Sequence, residues 1–221
     1  MSEAIPATRL RIKFSKQGAL RYISHLDLHH IWQRSIRRAG LPLVYSQGFH
    51  PQPKIQLASA LALGFSSQAE VLDIWIDKGA AWDQEKLQAS VPEGIKIFDM
   101  QEVELHGPAL QTQVESAEYE VTLLDEISDS LLDEKLATLM DAESILRPKR
   151  VKRKKQKRFT SVPPTYDMRP LILEMQRIAP QQIFMRLTTQ EGATGRPDEV
   201  LSEMGFSVEA ARVERKALNL K

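Results

Sequence analysis

Apolar and polar residues alternate through Thr8-Arg9-Leu10-Arg11-Ile12-Lys13-Phe14, the period of a half-buried strand. Leu10, Ile12 and Phe14 share one face, and Arg9, Arg11 and Lys13 share the other, so a basic solvent side is expected. Ser15 to Gly18 reads as a turn. Ser24-His25-Leu26-Asp27 has the form of a capping box with a short acid. It opens a helix whose Leu28, Ile31, Trp32, Ser35, Ile36 and Ala39 fall at helical spacing. The opposite face carries Gln33, Arg34, Arg37 and Arg38. Gly40 is placed as a C′ residue, and Pro42 prevents continuation. Leu41 to Tyr45 and Lys54 to Leu61 read as strands on either side of a Pro-rich loop. Glu70 to Asp77 is a further strand, with Val71, Asp73, Trp75 and Asp77 facing away from Leu72, Ile74 and Ile76. A short helix over Trp82 to Ser90 and a strand over Ile95 to Leu105 follow.

This order, strand, helix, strand, strand, helix, strand, describes a ferredoxin-like sandwich with its helices on one face of an antiparallel sheet. The other face is expected to be open to a partner. Residues 107–116 have the composition of a linker. The same order then recurs. Tyr119 to Leu124 is a strand, and Ser128 to Ala142 a helix with Leu131, Leu132, Leu136, Leu139 and Met140 as its apolar positions. Pro170 to Ile178 is short helix or extended chain, and Ile183 to Thr188 a strand. Arg196 to Met204 is a helix ended by Gly205, and Ser207 to Leu220 a last strand. The expected fold is therefore α+β, two tandem ferredoxin-like (βαββαβ) sandwiches. The first domain covers residues 8–106 and the second 117–221, with a basic insertion at 147–166. No repeat is visible in the residues themselves, so the duplication is inferred from element order.

With 221 residues, 42% of them hydrophobic, the chain is long enough for one large or two small domains with a real core. The formal net charge is only +1, but it is unevenly spread. Arg147 to Arg158 is almost wholly basic, while Glu115 to Glu143 is rich in acids. The absence of cysteine excludes disulfides, thiolate zinc sites and a cysteine-held iron–sulfur cluster within this chain. It fits a cytosolic protein. The N-terminus lacks the apolar core of a signal peptide, and no apolar run is long enough to span a bilayer. A cytoplasmic protein with no membrane partner is expected.

Three stretches carry candidate chemistry. His25 and His29 lie four apart on one helical face, as metal ligands on helices do. Asp27 lies off that face, so a third ligand would have to come from elsewhere, for example His50. The plainer reading is a cap plus surface imidazoles, and no metal site is expected. An acid–base role for His25, His29 or His50 suits RNA cleavage at neutral pH. The loop Tyr45-Ser46-Gln47-Gly48-Phe49-His50-Pro51-Gln52-Pro53-Lys54 is held extended by its prolines and presents His50 and Lys54. It reads either as a turn between strands or as a phosphate- or base-contacting loop. The basic run holds Lys149, Arg150, Lys152, Arg153, Lys154, Lys155, Lys157 and Arg158. Each phosphate that such a run neutralises releases counterions, so polyanion binding is its natural use. Phe159 and Tyr166 flank it and are placed to stack on bases. Asp167 and Arg169 pair with one another or with the basic segment, or simply form a turn.

The block from Phe14 to Gly64 resembles the radical-SAM-linked domain family of unknown function. The likeness lies in Phe14-Ser15-Lys16-Gln17-Gly18, Ser24-His25-Leu26-Asp27, Arg37-Arg38-Ala39-Gly40-Leu41-Pro42 and Ser46-Gln47-Gly48-Phe49-His50-Pro51-Gln52-Pro53. Asp167 to Pro170 and Arg196 to Leu201 resemble later blocks of the family. Where that family commonly has Asn after Gly-Phe, this chain has His50. The resemblance implies a motif pocket of Ser24, His25, Asp27, Gly48, Asp167 and Arg169. It also implies a context of RNA metabolism, beside a radical-SAM protein and ribonuclease E/G-type genes. The partner would carry S-adenosylmethionine, an iron–sulfur cluster and cobalamin, with no cofactor in this chain.

The leading expectation is a non-catalytic accessory module that holds tRNA or rRNA for a radical-SAM RNA-modifying partner. Arg34, Arg37, Arg38, His50, Lys54 and the run from Lys149 to Arg158 would contact RNA, with Phe49 and Phe159 stacking. The alternatives are a metal-independent ribonuclease using His25, His29 or His50, and a protein-docking module for the radical-SAM or ribonuclease partner. Ser24, His25 and Asp27 are expected to approach the Gly48 to Lys54 loop, bringing His25, His50 and Lys54 together.

Overall fold

The computed structural model describes residues 6–149, 164–190 and 192–221. The chain runs through β1 (Ala7–Lys16), α1 (His25–Arg38), β2 (Ile55–Leu57), β3 (Ser66–Asp77), α2 (Gln84–Gln88), β4 (Ile95–Val103) and α3 (Leu110–Gln113). It continues with β5 (Val114–Leu123), α4 (Asp129–Asp141), β6 (Leu146–Pro148), β7 (Thr165–Asp167), β8 (Ile172–Ala179) and β9 (Gln182–Gln190). β10 (Ala193–Thr194), α5 (Pro197–Glu203) and β11 (Ala211–Leu220) complete it. The architecture is α+β, a large mixed sheet with few helices. The chain divides into two units: residues 6–119 with 189–190 and 213–221, and residues 120–188 with 192–212.

In the first unit β1 lies between β3 and β4 and is antiparallel to both. β2 runs antiparallel beside Leu72 to Ile74 of β3. β11 runs parallel to the start of β3, with Glu214 beside Ser66 and Arg215 beside Ser67. The apolar face of the alternation forms the core: Leu10, Ile12 and Phe14 pack with Leu72, Ile74 and Ile76 under Leu28, Trp32 and Ile36 of α1. The Phe14 and Trp32 rings meet edge to face at 4.7 Å, an arrangement aromatic quadrupoles favour. α1 begins and ends where its local signals put it, with Ser24 as N-cap and Gly40 at φ +75° just beyond it.

The opposite sheet face departs from expectation. Of its three cations only Lys13 is exposed to solvent. Arg9 is buried, and its guanidinium donates to Asp73 and to the carbonyls of Gly107 and Pro108. Arg11 donates to both Asp73 oxygens. The register sets Arg11 directly across from Asp73, so one carboxylate is shared by the two arginines. The stretch expected as a linker closes over it. Leu110 of α3 is fully buried and packs with Ala58, Val71 and Val114.

Other differences are local. Leu41 to Tyr45 makes only isolated bridges, Leu43 to Ile76 and Tyr45 to Pro53. Trp82 stays outside α2, which starts after Asp83; the Asp83 carboxylate accepts the Glu85 and Lys86 N–H groups. The last strand, expected in a second domain of 117–221, belongs with the first unit from Val213 onward, because it pairs with β3.

In the second unit β8 and β9 form an antiparallel pair, and β5 neighbours β9. Ser128 caps α4, which buries Leu132, Leu136 and Leu139, while Leu131 is exposed. Ile183, Met185, Leu187, Val200, Leu201 and Met204 are also buried. The ends of the basic insertion are paired in a small ladder: Leu146 faces Asp167, Arg147 faces Tyr166 and Pro148 faces Thr165. Among the described residues no helix is long and apolar enough to cross a membrane.

Candidate functional site

The first turn of α1 is built by its own sequence. The Ser24 hydroxyl accepts the Asp27 N–H at 3.2 Å, and the Asp27 carboxylate accepts the Ser24 N–H at 3.1 Å and its hydroxyl at 2.6 Å. These two bonds from Ser24 hold the Asp27 carboxyl below its ordinary value. His25 follows the cap and is exposed. The protein crowded around its ring lowers its pKa, against the opposing pull of Glu70; His29, Lys16 and Arg215 lower it further.

The same unit buries three charges. Lys16, Glu70 and Arg215 are 1%, 2% and 0% exposed. Arg215 Nη1 stands 3.3 Å from Glu70 Oε1, yet neither of these atoms makes a hydrogen bond, nor does Arg215 Nε. Arg215 Nη2 donates to the Ala60 carbonyl at 2.8 Å, and Lys16 Nζ to the Ile23 carbonyl at 3.4 Å. Burial lowers the Lys16 pKa, with Glu70 opposing and Arg215 assisting. Sequence reasoning found His25 and missed these three buried charges. Two of them were signalled. Lys16 continues the Leu10, Ile12, Phe14 parity, and Glu70 precedes Leu72, Ile74 and Ile76 at the same spacing, so both are charges on a core face.

The Pro-rich loop lies elsewhere. Ser46 N–H donates to the Gln52 carbonyl at 2.7 Å, and Gln52 N–H to the Ser46 hydroxyl at 2.9 Å, which closes the segment between them. Phe49 at its tip is fully exposed, and His50 and Lys54 are exposed as well. Gly48 adopts φ +135°, which favours glycine. Arg37 donates to the Tyr45 hydroxyl at 3.2 Å, so the loop base stands at the C-terminal end of α1. Arg34, one turn earlier, is exposed; Arg38 donates to the Ser90 carbonyl at 2.9 Å. Lys54 pairs with Trp75 of β3, five residues from Glu70, or about 16 Å along a strand. Ser24, His25 and Asp27 are therefore at one end of α1, and the Gly48 to Lys54 loop at the other. The expected convergence of His25, His50 and Lys54 is not what the fold makes. His29 meets Gln33 at 3.3 Å.

Asp167 and Arg169 hold the second unit together. Asp167 Oδ1 accepts the Ile145 N–H at 2.8 Å and the Arg169 N–H at 3.0 Å. These bonds lower its pKa. The Arg169 guanidinium turns away to the Met140 carbonyl at 2.7 Å and the Ile172 carbonyl at 2.9 Å, tying down the C-terminal end of α4. Beside them the Tyr166 hydroxyl donates to Glu199; burial first and then that bond push the phenol up to about 12. Lys149 is exposed, and its N–H extends the small ladder to the Pro164 carbonyl. Arg150, Lys152, Arg153, Lys154, Lys155, Lys157, Arg158 and Phe159 lie outside the described residues.

A family profile described as "Uncharacterized protein conserved in bacteria (DUF2344)" matches residues 9–197. The chain belongs to this family. A search of curated proteins gives no match. Among solved structures, a chain of the "Crystal Structure of a Cbf5-Nop10-Gar1 Complex" is similar at a TM-score of 0.44 and 8% identity. The match covers 95% of this chain and 48% of that one, so this chain spans about half its length.

Proposed function

We propose that this member of the family is a non-catalytic RNA-binding module that serves a radical-SAM RNA-modifying partner. The observation that carries the reading is Phe49, a fully exposed aromatic on a loop closed by two hydrogen bonds. An aromatic left wholly in water on a braced loop is suited to stacking on an unpaired base. Arg37 at the loop base, Lys54 at the loop's end and exposed Arg34 one turn earlier on α1 supply cations for phosphates. The basic run from Arg147 to Arg158 adds polyanion affinity without sequence preference. The finer architecture proposed with it is a pair of ferredoxin-like halves. The strand order β4–β1–β3–β2 supports it for the first half, and the antiparallel β8–β9 pair beside α4 for the second. A cysteine-free chain holds no cysteine-ligated cluster, so the radical chemistry and its cofactors belong to the partner.

The test is RNA binding by the full chain as salt is raised. Affinity for structured tRNA or rRNA falls steeply with salt. Phe49→Ala weakens it by about 1–3 kcal/mol, and Arg37→Ala lowers the salt slope by about one unit. Affinity that ignores salt and both variants overturns the reading. Co-purification of the radical-SAM partner with and without nuclease separates direct docking from association bridged by RNA.

A further inference from the structure

The Pro-rich loop is a finger. Its stem is built rung by rung: Lys54 N–H donates to the Val44 carbonyl at 2.8 Å, Tyr45 bridges to Pro53, and Ser46 N–H donates to the Gln52 carbonyl at 2.7 Å. β3 braces the stem from the side. Val44 N–H donates to the Trp75 carbonyl at 2.8 Å, and Trp75 N–H to the Lys54 carbonyl at 3.2 Å. Gln47 to Pro51 form the tip, every one of them exposed, with Phe49 in the middle at 103%. Pro51 and Pro53 carry no N–H, so the returning arm is a poor template for an added strand. A braced stem, an apolar ring at its tip and a blocked edge suit a wedge that enters a base stack, not a strand that pairs with a peptide.

Charge selects what the wedge enters. From Leu28 to Ala69 the chain has no Asp or Glu, while it carries Arg34, Arg37, Arg38 and Lys54. Arg37 is fixed at the stem by its bond to the Tyr45 hydroxyl, and exposed Arg34 stands one turn earlier. Arg38 is spent on the Ser90 carbonyl. Lys86 Nζ reaches the same end of α1, 3.6 Å from where a Cβ on Gly40 would stand. The exposed acid that β3 brings beside Pro42, Asp77, is followed by exposed Lys78. The surroundings of the finger therefore favour an anion. Tyr45 to Phe49 spans at most about 14 Å of chain, so the ring and the cations at the stem reach neighbouring nucleotides of one RNA.

A continuous duplex offers such a wedge little. The major groove of A-form RNA is too deep and narrow for side chains to read, and a base inside the helix is covered on both faces. Where a helix gives way to a loop, a base has a free face and the helix phosphates continue beside it.

We infer that the finger recognises RNA stem–loops. Phe49 stacks on an unpaired base where the loop leaves its helix, and Arg34, Arg37 and Lys54 hold phosphates of the adjoining strand. This rests on the RNA-binding reading above and names its substrate class.

The experiment titrates the full chain at fixed salt against RNAs that carry 2-aminopurine. One is a hairpin with the fluorophore in the loop beside the closing pair. The second is the loop sequence as a plain single strand, and the third a fully paired duplex of the stem sequence with the fluorophore mid-strand. The hairpin binds about fivefold or more tighter than either of the others, and its fluorescence changes saturably. Phe49→Ala weakens the hairpin by about tenfold or more, removes the fluorescence change and leaves duplex affinity unchanged. Phe49→Trp restores both affinity and signal. Arg37→Ala weakens the hairpin but keeps the fluorescence change at saturation. Phe49 is wholly in water, so its variants keep the fold, which matched unfolding curves check. Equal affinity for the three RNAs, a preference for the single strand, or a hairpin preference that survives Phe49→Ala overturns the inference and leaves RNA binding standing. Binding to none of them overturns both readings.

Discussion

Two buried charge clusters share the β1–β3 ladder, and they are finished to different degrees. At one end Asp73 accepts from Arg9 Nε at 2.9 Å and from Arg11 Nε and Nη2 at 2.8 and 2.9 Å, and the rest of the Arg9 fork is taken by carbonyls of Gly107 and Pro108 at 3.1 and 3.0 Å. At the other end Arg215 and Glu70 approach to 3.3 Å without a hydrogen bond, and two guanidinium nitrogens have no acceptor. Arg9 and Asp73 are as buried as Arg215 and Glu70, so burial alone does not separate the two clusters. What separates them is how many donors are spent. Arg9 ties a loop to a sheet, whereas Arg215 keeps two guanidinium nitrogens without a hydrogen-bond acceptor.

The comparison is sharpest where the acid is removed. Asp73→Asn leaves Arg9 and Arg11 without a counter-charge and is expected to destabilise by about 3–5 kcal/mol, the range for breaking a buried pair. Glu70→Gln, acting on a pair that is already poorly aligned, falls at or below about 3 kcal/mol. Urea unfolding of both variants measures the difference. Equal losses would mean that the two clusters are equivalent and that the contrast drawn from their hydrogen bonds is false.

Removing both partners gives the next effect. Glu70→Leu with Arg215→Met is expected to be neutral or to stabilise by about 1–2 kcal/mol, since apolar replacement relieves desolvation where few hydrogen bonds are lost. Asp73→Leu with Arg9→Met still costs stability, because it releases the Gly107 and Pro108 carbonyls that Arg9 tied to the sheet and strands Arg11 without its carboxylate. Thermal unfolding of the two double variants decides this. A loss in the first as large as in the second would make the Arg215 cluster structural.

The sequence announced one end of this region better than the other. α1 was legible because its cap, its apolar face and its Gly40 stop are all local. The face of Leu10, Ile12 and Phe14 was legible for the same reason, as a period within one strand. The fate of Arg9 and Arg11 was not, because it depends on residues 104–113 returning over the sheet. Arg215 was hidden for a related reason. Its neighbour in the sheet is Ser67, from the far end of the chain, and periodicity within a strand does not specify which strand lies beside it. Lys16 and Glu70 were readable in principle, as charges at core spacing. The exposure of Phe49 was readable too, since Gly48, Pro51 and Pro53 keep its loop out of regular structure. Its distance from His25 was not, because only the packing of α1 along β3 sets the two at opposite ends.

A smaller effect separates the cap from the Arg215 cluster. Ser24→Ala removes a hydroxyl that accepts the Asp27 N–H and donates to its carboxylate, and is expected to cost about 1 kcal/mol. Denaturant unfolding reads the loss. It should be the same in the parent and in the Glu70→Leu, Arg215→Met background, because neither side chain is among the capping partners. A loss that changes by more than about 0.5 kcal/mol between backgrounds would show that cap and cluster act as one unit.

The smallest expected effect is the pH dependence of His25. Its folded pKa is depressed, first by the protein around it, with Glu70 opposing and His29, Lys16 and Arg215 adding to the depression. Between the folded value and the ordinary value of 6.5 the unfolded chain therefore binds more protons than the folded one. Stability is complete above the ordinary value and declines as pH falls through that window to the folded pKa. His25→Gln cannot take up the proton, so its stability should lose less than the parent's as pH is lowered through the same window. Unfolding curves at closely spaced pH values, parent against variant, measure this. Because other groups titrate in both proteins, the difference between the two curves carries the information. Parallel curves would mean that the folded protein does not depress the ring's pKa, and His25 would then be an ordinary surface imidazole.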